Sequence, residues 1–411
     1  MSLKPLADEF ITLMSSPDPE HIWSCSPGLC RCPDGRLIAT AGWRGPDPQK
    51  NIGLIFVSDD HGATWRQTGT FPFRHARPFI AGKRLYILGH DGDLCIVASS
   101  DRGENWSAVS RLTSGQHWHQ APCNVLHANG CVYLVMERSL YDDCHSWEPS
   151  TLAPVLMRGA AEQDLRLREN WTFATEVAFR DAFSDKEMIS RGMSFFPITP
   201  RGDYFAAPGR ESAPPGWLET NVFQLHDRNH YWFDPAGKTF HLISRLHCGW
   251  TGYAALLKVT EDGPRPGTGA MHTGFQTLPS GGYCNFLPLP GGQMKFHLLY
   301  DDVSRLYWLL STQATDSMTR AEKLSPDRYN LPNNQRTRLM LHFSRNMIDW
   351  CPAGMVAMRS NERESRHYAS MVIDGDDLAI LSRSGDERAA SAHNGNLITF
   401  HRLKNFRDLI Y

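Results

Sequence analysis

A repeated turn motif is the feature that most restricts how this chain can fold. Residues 58–65 (SDDHGATW) and 99–106 (SSDRGENW) both fit the pattern SxDxGxxW, and residues 344–350 (SRNMIDW) form a degenerate copy. Each copy lies between short apolar segments, which is typical of a hairpin turn between two strands. The Ser and Asp side chains can accept hydrogen bonds from backbone amides, the Gly can take a positive φ, and the Trp can pack beneath the turn. The motif therefore predicts a recurring, self-closed β-hairpin with a structural role.

The strand-like segments around these turns group in fours, which is the size of one blade of a β-propeller. Six groups can be traced, and the sixth lacks its fourth strand. The apolar segment FITLMS at 10–15 is a natural supplier of that strand, and its addition would close the ring and remove an open edge. We predict an all-β, six-bladed propeller with four antiparallel strands per blade, formed by residues 1–411 as a single domain. An irregular insertion near 178–218 contains FFPIT and DYFAAP, so seven blades are possible.

Composition excludes several classes of partner. A net charge of -2 and a sequence pI near 6.8 provide no general field for nucleic acid or a membrane surface. No apolar run reaches the roughly 18–20 residues of a membrane span, and the first residues do not read as a signal peptide. The ten cysteines are scattered, which favours reduced thiols and a cytoplasmic location, or a periplasmic or secreted one if a leader has been removed. Cys25, Cys30 and Cys32 lack a second pair at zinc-site spacing, so we predict no metal and no other cofactor.

Beyond its general pattern, the chain resembles the sialidase-like (BNR-repeat) β-propeller proteins of carbohydrate-degrading bacteria. The repeated turn matches the Asp box of sialidases and related propellers. Four further segments carry the likeness: HQAPCNVLHANG, GGQMKFHLLYDDVSRLYW, DGDDLAILSRSGD and HNGNLITFHRLKNFRDL. The resemblance covers most of the chain and implies a propeller of sialidase type and a glycan-active enzyme.

Strand direction predicts which polar side chains share the rim opposite the Asp boxes. That rim receives the starts of first strands, the ends of second strands and the starts of third strands. It gathers six cations and one histidine that we predict to bind substrate: Arg77, Arg138, Arg245, Lys295, Arg336, Arg383 and His393. Because a guanidinium pairs with a carboxylate through two parallel hydrogen bonds, we expect a pocket for an acidic oligosaccharide or glycoconjugate.

The resemblance to sialidases also implies catalytic roles. In that family three arginines hold the substrate carboxylate, a Tyr–Glu pair supplies the nucleophile, and an Asp is the acid/base. Matched by position, the clamp would be Arg77, Arg245 and Arg336; the nucleophile Tyr368; its base Glu219; and the acid Asp91 or Asp93. The first arginine departs from the family pattern, because RHARPF follows the first Asp box instead of preceding it.

His119, in HWHQAP, can be interpreted either as a catalytic base or as a structural histidine. A histidine base beside an arginine-neutralised uronate could remove the proton next to the carboxylate, which is the chemistry of a lyase acting on linkages such as rhamnosyl-glucuronate. A buried histidine bonded to a backbone carbonyl is the structural alternative. A non-catalytic glycan-binding propeller is a third functional class. His367 lies on the same rim, Trp43 could stack on a sugar, and His401 is expected to pack within a strand.

Overall fold

The computed structural model describes residues 4–48, 51–144, 147–184, 204–207, 210–248, 252–317, 319–320, 323–324 and 335–411. Strand β1 (Ile11–Ser15) begins the fold and belongs to the last blade. Blade 1 contains β2 (Trp23–Ser24), β3 (Gly28–Arg31), β4 (Leu37–Arg44), β5 (Ile52–Ser58) and β6 (Arg66–Phe71). Blade 2 contains β7 (Arg74–Ala81), β8 (Arg84–Asp91), β9 (Asp93–Ser99) and β10 (Ser110–Arg111). Blade 3 contains β11 (Trp118–His119), β12 (Leu126–Ala128), β13 (Cys131–Ser139), β14 (Leu152–Ala160) and β15 (Trp171–Phe173).

The second half repeats this plan after one short helix, α1 (Phe179–Ala182), and a hairpin of β16 (Tyr204–Ala207) and β17 (Arg210–Ser212). Blade 4 contains β18 (Gly216–Phe223), β19 (Thr239–His247), β20 (Tyr253–Glu261) and β21 (Met271–Gly274). A small hairpin of β22 (Gln276–Thr277) and β23 (Tyr283–Cys284) follows, and β24 (Phe286–Pro288) pairs with β20. Blade 5 contains β25 (His297–Asp301), β26 (Leu306–Thr312), β27 (Arg338–Ser344) and β28 (Cys351–Met358). Blade 6 contains β29 (Arg366–Asp374), β30 (Asp377–Ser384) and β31 (Leu397–Leu403), and 3₁₀ turns occupy Arg168–Asn170 and Phe406–Leu409.

The ring closes as the sequence predicts. Strand β1 pairs antiparallel with β31, with Ile11 opposite Phe400 and Ser15 opposite Leu397. It thereby supplies the fourth strand of blade 6 and covers an edge that would otherwise expose unpaired backbone groups. Within the described residues there are six blades, and DYFAAP contributes only to the two-stranded β16–β17 hairpin. The segment FFPIT, on which a seventh blade partly depended, lies outside the described residues.

Apolar faces of neighbouring blades pack against each other and form the core. Between blades 3 and 4, for example, the rings of Tyr133 and Phe240 stack with centroids 4.2 Å apart. The first strands of all six blades surround a central channel, lined among others by Gly28, Arg77 and Ser370. A first-strand side chain that points inward therefore reaches this axis, and this is what brings residues distant in sequence together.

The two SxDxGxxW turns have the same hydrogen bonds. The amides of Gly62 and Gly103 each donate to the preceding serine Oγ over 2.8 Å, and both glycines have positive φ. The indole of Trp65 donates to the Gly62 carbonyl. These turns lie at the ends of blades 1 and 2 that are away from the starts of their first strands, so they stabilise the fold at a distance from the opposite rim.

All ten cysteines lie in the described part of the chain, and no disulfide joins any of them there. In the described residues, no helix has the length and apolar character needed to cross a membrane.

Candidate functional site

Three first strands carry a bulge at the same rim, and each bulge holds a residue in the left-handed region. His75 on β7, Glu219 on β18 and Tyr368 on β29 have φ of 50°, 56° and 49°. The pairing register shifts at each of these positions. Left-handed backbone at a non-glycine residue costs about 1–3 kcal/mol and persists only where the surrounding structure enforces it. The bulges interrupt the usual alternation of the strands, and they occur in alternate blades, 2, 4 and 6.

The bulges at Glu219 and Tyr368 bring their side chains to one guanidinium. Arg245 Nη1 donates to the Tyr368 hydroxyl over 2.8 Å and to Glu219 Oε2 over 3.0 Å. All three residues are buried. Burial lowers the pKa of Arg245, but Tyr368 and Glu219 outweigh it and raise the pKa overall. A phenol and a carboxylate therefore share one cation, which is an arrangement suited to proton exchange between them.

Two further arginines flank the Tyr368 ring. The guanidinium carbons of Arg336 and Arg383 lie 5.2 Å and 5.6 Å from its centroid. Arg336 Nη1 also bonds to Nδ1 of His367 over 2.6 Å. Burial, together with the charge of a neighbouring arginine, lowers the pKa of Arg336 to about 10 and that of Arg383 to about 9. Burying cations without acid partners raises the free energy of the folded state, so this part of the site is suited to binding an anion.

Arg44, at the end of β4, extends the cationic surface toward blade 1. Its Nη2 bonds to Asn394 Oδ1 over 2.7 Å and to His393 Nδ1 over 3.2 Å. Burial, followed by the charges of Arg383, Arg336 and Arg44, holds the pKa of His393 well below its usual value. His393 is therefore neutral near pH 7 and does not add to the positive charge.

Three histidine rings form a second group on the same rim. The ring centroids of His75, His90 and His119 lie 5.6–5.9 Å from one another. One ring nitrogen of each is buried and has no hydrogen-bond partner among the described residues. Nδ1 of His119 lies 3.6 Å from Oε2 of Glu137. The other oxygen of Glu137 accepts from the amide of Thr220, which joins this group to the Glu219 bulge.

The histidines differ in protonation because only one has an acid beside it. Burial lowers the pKa of His75 and His90 well below the usual value, and neighbouring positive charge adds to this. Burial acts in the same direction on His119, but the nearby carboxylate of Glu137 outweighs it, and the pKa rises. The group thus combines two neutral bases with one histidine that retains its proton more strongly. Among the described residues, no set of three or more His, Cys, Asp or Glu side chains is arranged to hold a metal ion.

Two predicted substrate-binding cations lie beneath the site. Arg77 Nη1 donates to the Val135 carbonyl over 3.1 Å and Nη2 donates to Gln120 Oε1, so both ends of its guanidinium are bonded to blade 3. Lys295 Nζ donates to the Ala369 carbonyl over 2.6 Å, directly below Tyr368, and burial lowers its pKa to about 8. The expectation that Arg77 completes the carboxylate clamp is therefore not supported by the geometry, and both cations support inner strands instead.

Three other predicted residues lie at the periphery. Arg138 pairs with Glu176 over 2.9 Å, because its neighbour Glu137 takes the inward face of β13. Asp91 is exposed and pairs with Arg111 at 3.4 Å. Asp93 accepts from the amides of Gly115 and Gln116 and fixes a turn. Neither aspartate contacts Tyr368 or Glu219 within the described residues, so the acid/base assignment to them is not supported.

Residues that the sequence argument passed over were adjacent to ones it chose. Glu137 precedes Arg138, and Arg44 follows Trp43. His90 differs from these two, because strand direction already places it on this rim at the end of a second strand. Trp43 is half-buried and packs against the core between blades 1 and 6, and His401 is buried and bonded to the Ala7 carbonyl. His401 thus packs within its strand as predicted.

A cavity of about 440 Å³ occupies the opposite part of the central channel. Its lining comes from the later residues of the first strands and from Tyr300 and Tyr307, and includes neither Tyr368 nor Glu219 among the described residues. The volume of this cavity does not make it the reactive site, because the bulged and charged residues lie at the other end.

Comparison with solved structures agrees with this architecture. A Penicillium chrysogenum α-L-arabinanase complexed with arabinobiose matches with a TM-score of 0.54 and 13% identity over 99% of this chain and 100% of that one. The Hadza microbial sialidase Hz136 matches with a TM-score of 0.54 and 11% identity over 96% of this chain and 68% of that one. The chain has the fold of a sialidase-type propeller. A Trypanosoma rangeli sialidase mutant displaying trans-sialidase activity also matches, with a TM-score of 0.55 and 14% identity over 99% of this chain and 60% of that one. No protein-family model and no curated protein matches the sequence.

Proposed function

We propose that this sialidase-type propeller is a glycoside hydrolase that removes a terminal, carboxylate-bearing sugar from a glycan. The observation that carries the proposal is the shared contact of Tyr368 and Glu219 with Arg245, beside the buried Arg336. A neutral phenol is a suitable nucleophile for an anionic sugar, because a carboxylate nucleophile would be repelled by the substrate. The solved arabinanase and sialidases that share the fold act on glycans, which supports the same general class here.

The proposed reaction has two steps. Arg245 and Arg336 hold the sugar carboxylate while the Tyr368 oxygen attacks the anomeric carbon and Glu219 takes the phenolic proton. The glycosidic C–O bond breaks, and His119 donates a proton to the leaving oxygen. Water then attacks the same carbon, giving a proton to His119, as the bond to Tyr368 breaks and Glu219 returns the phenolic proton. His119 replaces the aspartates in this scheme, because its contact with Glu137 favours the protonated form.

A panel of aryl glycosides tests the proposal. Wild-type protein should release the aryl group from an acidic member, such as an aryl sialoside or aryl glucuronide, and not from an aryl arabinofuranoside. Tyr368→Phe should lower kcat by at least about 100-fold, which is the lower range for loss of a general acid–base or nucleophilic group. Equal rates for wild type and Tyr368→Phe would refute the nucleophile, and binding without turnover in the wild type would favour a glycan-binding protein.

The histidine group favours one alternative, a polysaccharide lyase. In that reaction neutral His75 or His90 removes the proton next to an arginine-bound uronate carboxylate, the bond to the 4-linked sugar breaks, and His119 protonates the leaving oxygen. A carbon–carbon double bond remains in the product. Rhamnosyl-glucuronate oligosaccharides distinguish the reactions, because only elimination produces the ultraviolet absorbance of an unsaturated uronate.

A further inference from the structure

The rim contains more positive charge than one substrate carboxylate can balance. Arg245 is balanced by Glu219. Arg336 contacts neutral His367. Arg44 contacts Asn394 and neutral His393. Arg383 has no acid partner among the described residues. A single carboxylate held at Arg245 and Arg336 would therefore leave Arg44 and Arg383 uncompensated.

The unpaired charge is concentrated on the side of blades 1 and 6. Arg383 is 2% exposed, and its Nε and Nη2 are buried without a hydrogen-bond partner in the described structure. Nε of Arg44 is also buried and unpartnered. Arg44 bonds to His393 and Asn394 on the loop that follows β30, the strand on which Arg383 lies. Its charge also helps to lower the pKa of Arg383, which agrees with this proximity. Two repelling cations with unused donors form a site for an oxyanion.

Resting on the proposed function, we infer that the substrate is doubly anionic: its carboxylate binds at Arg245 and Arg336, and a second oxyanion binds between Arg44 and Arg383. The second oxyanion could be a sulfate ester on the acidic sugar or a carboxylate on the adjoining sugar. Both groups have charged oxygens that accept several N–H hydrogen bonds. Arg74, which is exposed, lines a small pocket together with Arg44 and His75, so it lies near the same entrance. It would attract such a ligand without being part of the pair.

Crystals soaked in sodium selenate test the second position without requiring the correct sugar. Anomalous difference density should show one ion at Arg245 and Arg336 and another between Arg44 and Arg383. Arg44→Gln should remove the second ion and keep the first. Arg383→Gln is a second variant, and Arg66→Gln is the matched control, because Arg66 lies at the Asp-box end and pairs with Glu104. No ion between Arg44 and Arg383 in wild-type crystals overturns the inference.

Titration calorimetry then identifies the source of the second charge. An unsulfated uronate disaccharide is compared with its 2-O-sulfated form and with digalacturonate, which has two carboxylates. A sulfate or second carboxylate should tighten binding by roughly tenfold or more, the gain expected for a charge-assisted contact. Arg44→Gln should bring that ratio close to one, whereas Arg66→Gln should preserve it. Equal affinities for all three in the wild type contradict the inference.

The two proposals can fail separately. A second bound selenate with no turnover of any acidic aryl glycoside would refute the hydrolase and keep the doubly anionic ligand. Turnover of a singly charged aryl glycoside with no second ion and no preference for sulfate or a second carboxylate would refute the inference and keep the hydrolase.

Discussion

Replacing Arg245 with methionine should destabilise the protein because it leaves a buried carboxylate without its cation. The Arg245 and Glu219 side chains are only 2% and 3% exposed, and their charged atoms are 3.0 Å apart. Removing one partner of a buried ion pair typically costs about 3–5 kcal/mol. Methionine occupies most of the space of the aliphatic part of the arginine side chain. The loss of stability should therefore come from the unpaired charge and not from an empty cavity. Glu219→Gln should cost less, about 1–2 kcal/mol, because Arg245 keeps Tyr368 and the Gln293 carbonyl as partners.

The size of the chain sets the expected change in melting temperature. An unfolding entropy of about 2.1 cal/mol/K per residue over 411 residues gives roughly 0.9 kcal/mol/K. Arg245→Met should therefore lower Tm by about 3–6 °C, measured by scanning calorimetry at pH 7 and one fixed scan rate. In Arg245→Met/Glu219→Gln neither charge of this ion pair is left without the other, so the combined loss should be about 2 kcal/mol less than the sum of the single losses.

The exposed pair of Arg66 and Glu104 provides the control. Arg66→Met removes the same chemical group from the opposite end of the propeller and should leave Tm nearly unchanged. The reasoning is refuted if Arg245→Met melts with the wild type, or if the two single losses simply add in the double variant.

Three further outcomes are expected. First, kcat/KM should fall as pH rises through the raised pKa of His119, because the general acid must be protonated. Glu137→Gln removes the group that raises this pKa and should move the alkaline limb of kcat/KM to lower pH. An unmoved limb would argue against His119 as the general acid. Second, Ser58→Ala and Ser99→Ala each remove the acceptor of a buried glycine amide and should each lower the free energy of unfolding by about 1 kcal/mol without changing turnover. In the double variant the two losses should add, and a non-additive loss in denaturant titrations would contradict this. Third, burial and neighbouring positive charge keep the pKa values of four histidines low in the folded state: His75, His90, His367 and His393. Below about pH 6.5 the unfolded chain therefore binds protons that the folded chain does not bind, and stability should fall as pH is lowered. His90→Gln should reduce the slope of Tm against pH, and an unchanged slope would count against the low pKa of His90.

The ring of blades could be predicted because its signals are local. The Asp-box turns, the alternating segments on either side and the spare apolar strand at the N-terminus each report directly on neighbouring residues. The rim was partly predictable for the same reason: Tyr368, Glu219, Arg245, Arg336 and Arg383 lie together where strand direction predicted them.

Where side chains lie elsewhere than predicted, the cause is their alternation along a strand. Successive residues point to opposite faces, so choosing Arg138 instead of Glu137 reverses the side chain. Bulges make this worse, because an added residue shifts the alternation and the residues that carry the bulges, His75, Glu219 and Tyr368, are not glycines that would mark them. Lys295 shows a second limit: its position near the axis was predictable, but its bonds to the carbonyls below Tyr368 depend on packing between blades 5 and 6.

The anomeric configuration of the first product is the most direct test of Tyr368 as the nucleophile. Proton NMR in D₂O should follow the sugar released from the aryl glycoside that the wild-type protein turns over fastest, before mutarotation. A covalent Tyr368 intermediate predicts that the first-formed sugar retains its configuration, and that Tyr368→Phe forms little of it. An inverted sugar, or an unsaturated uronate, would contradict the account.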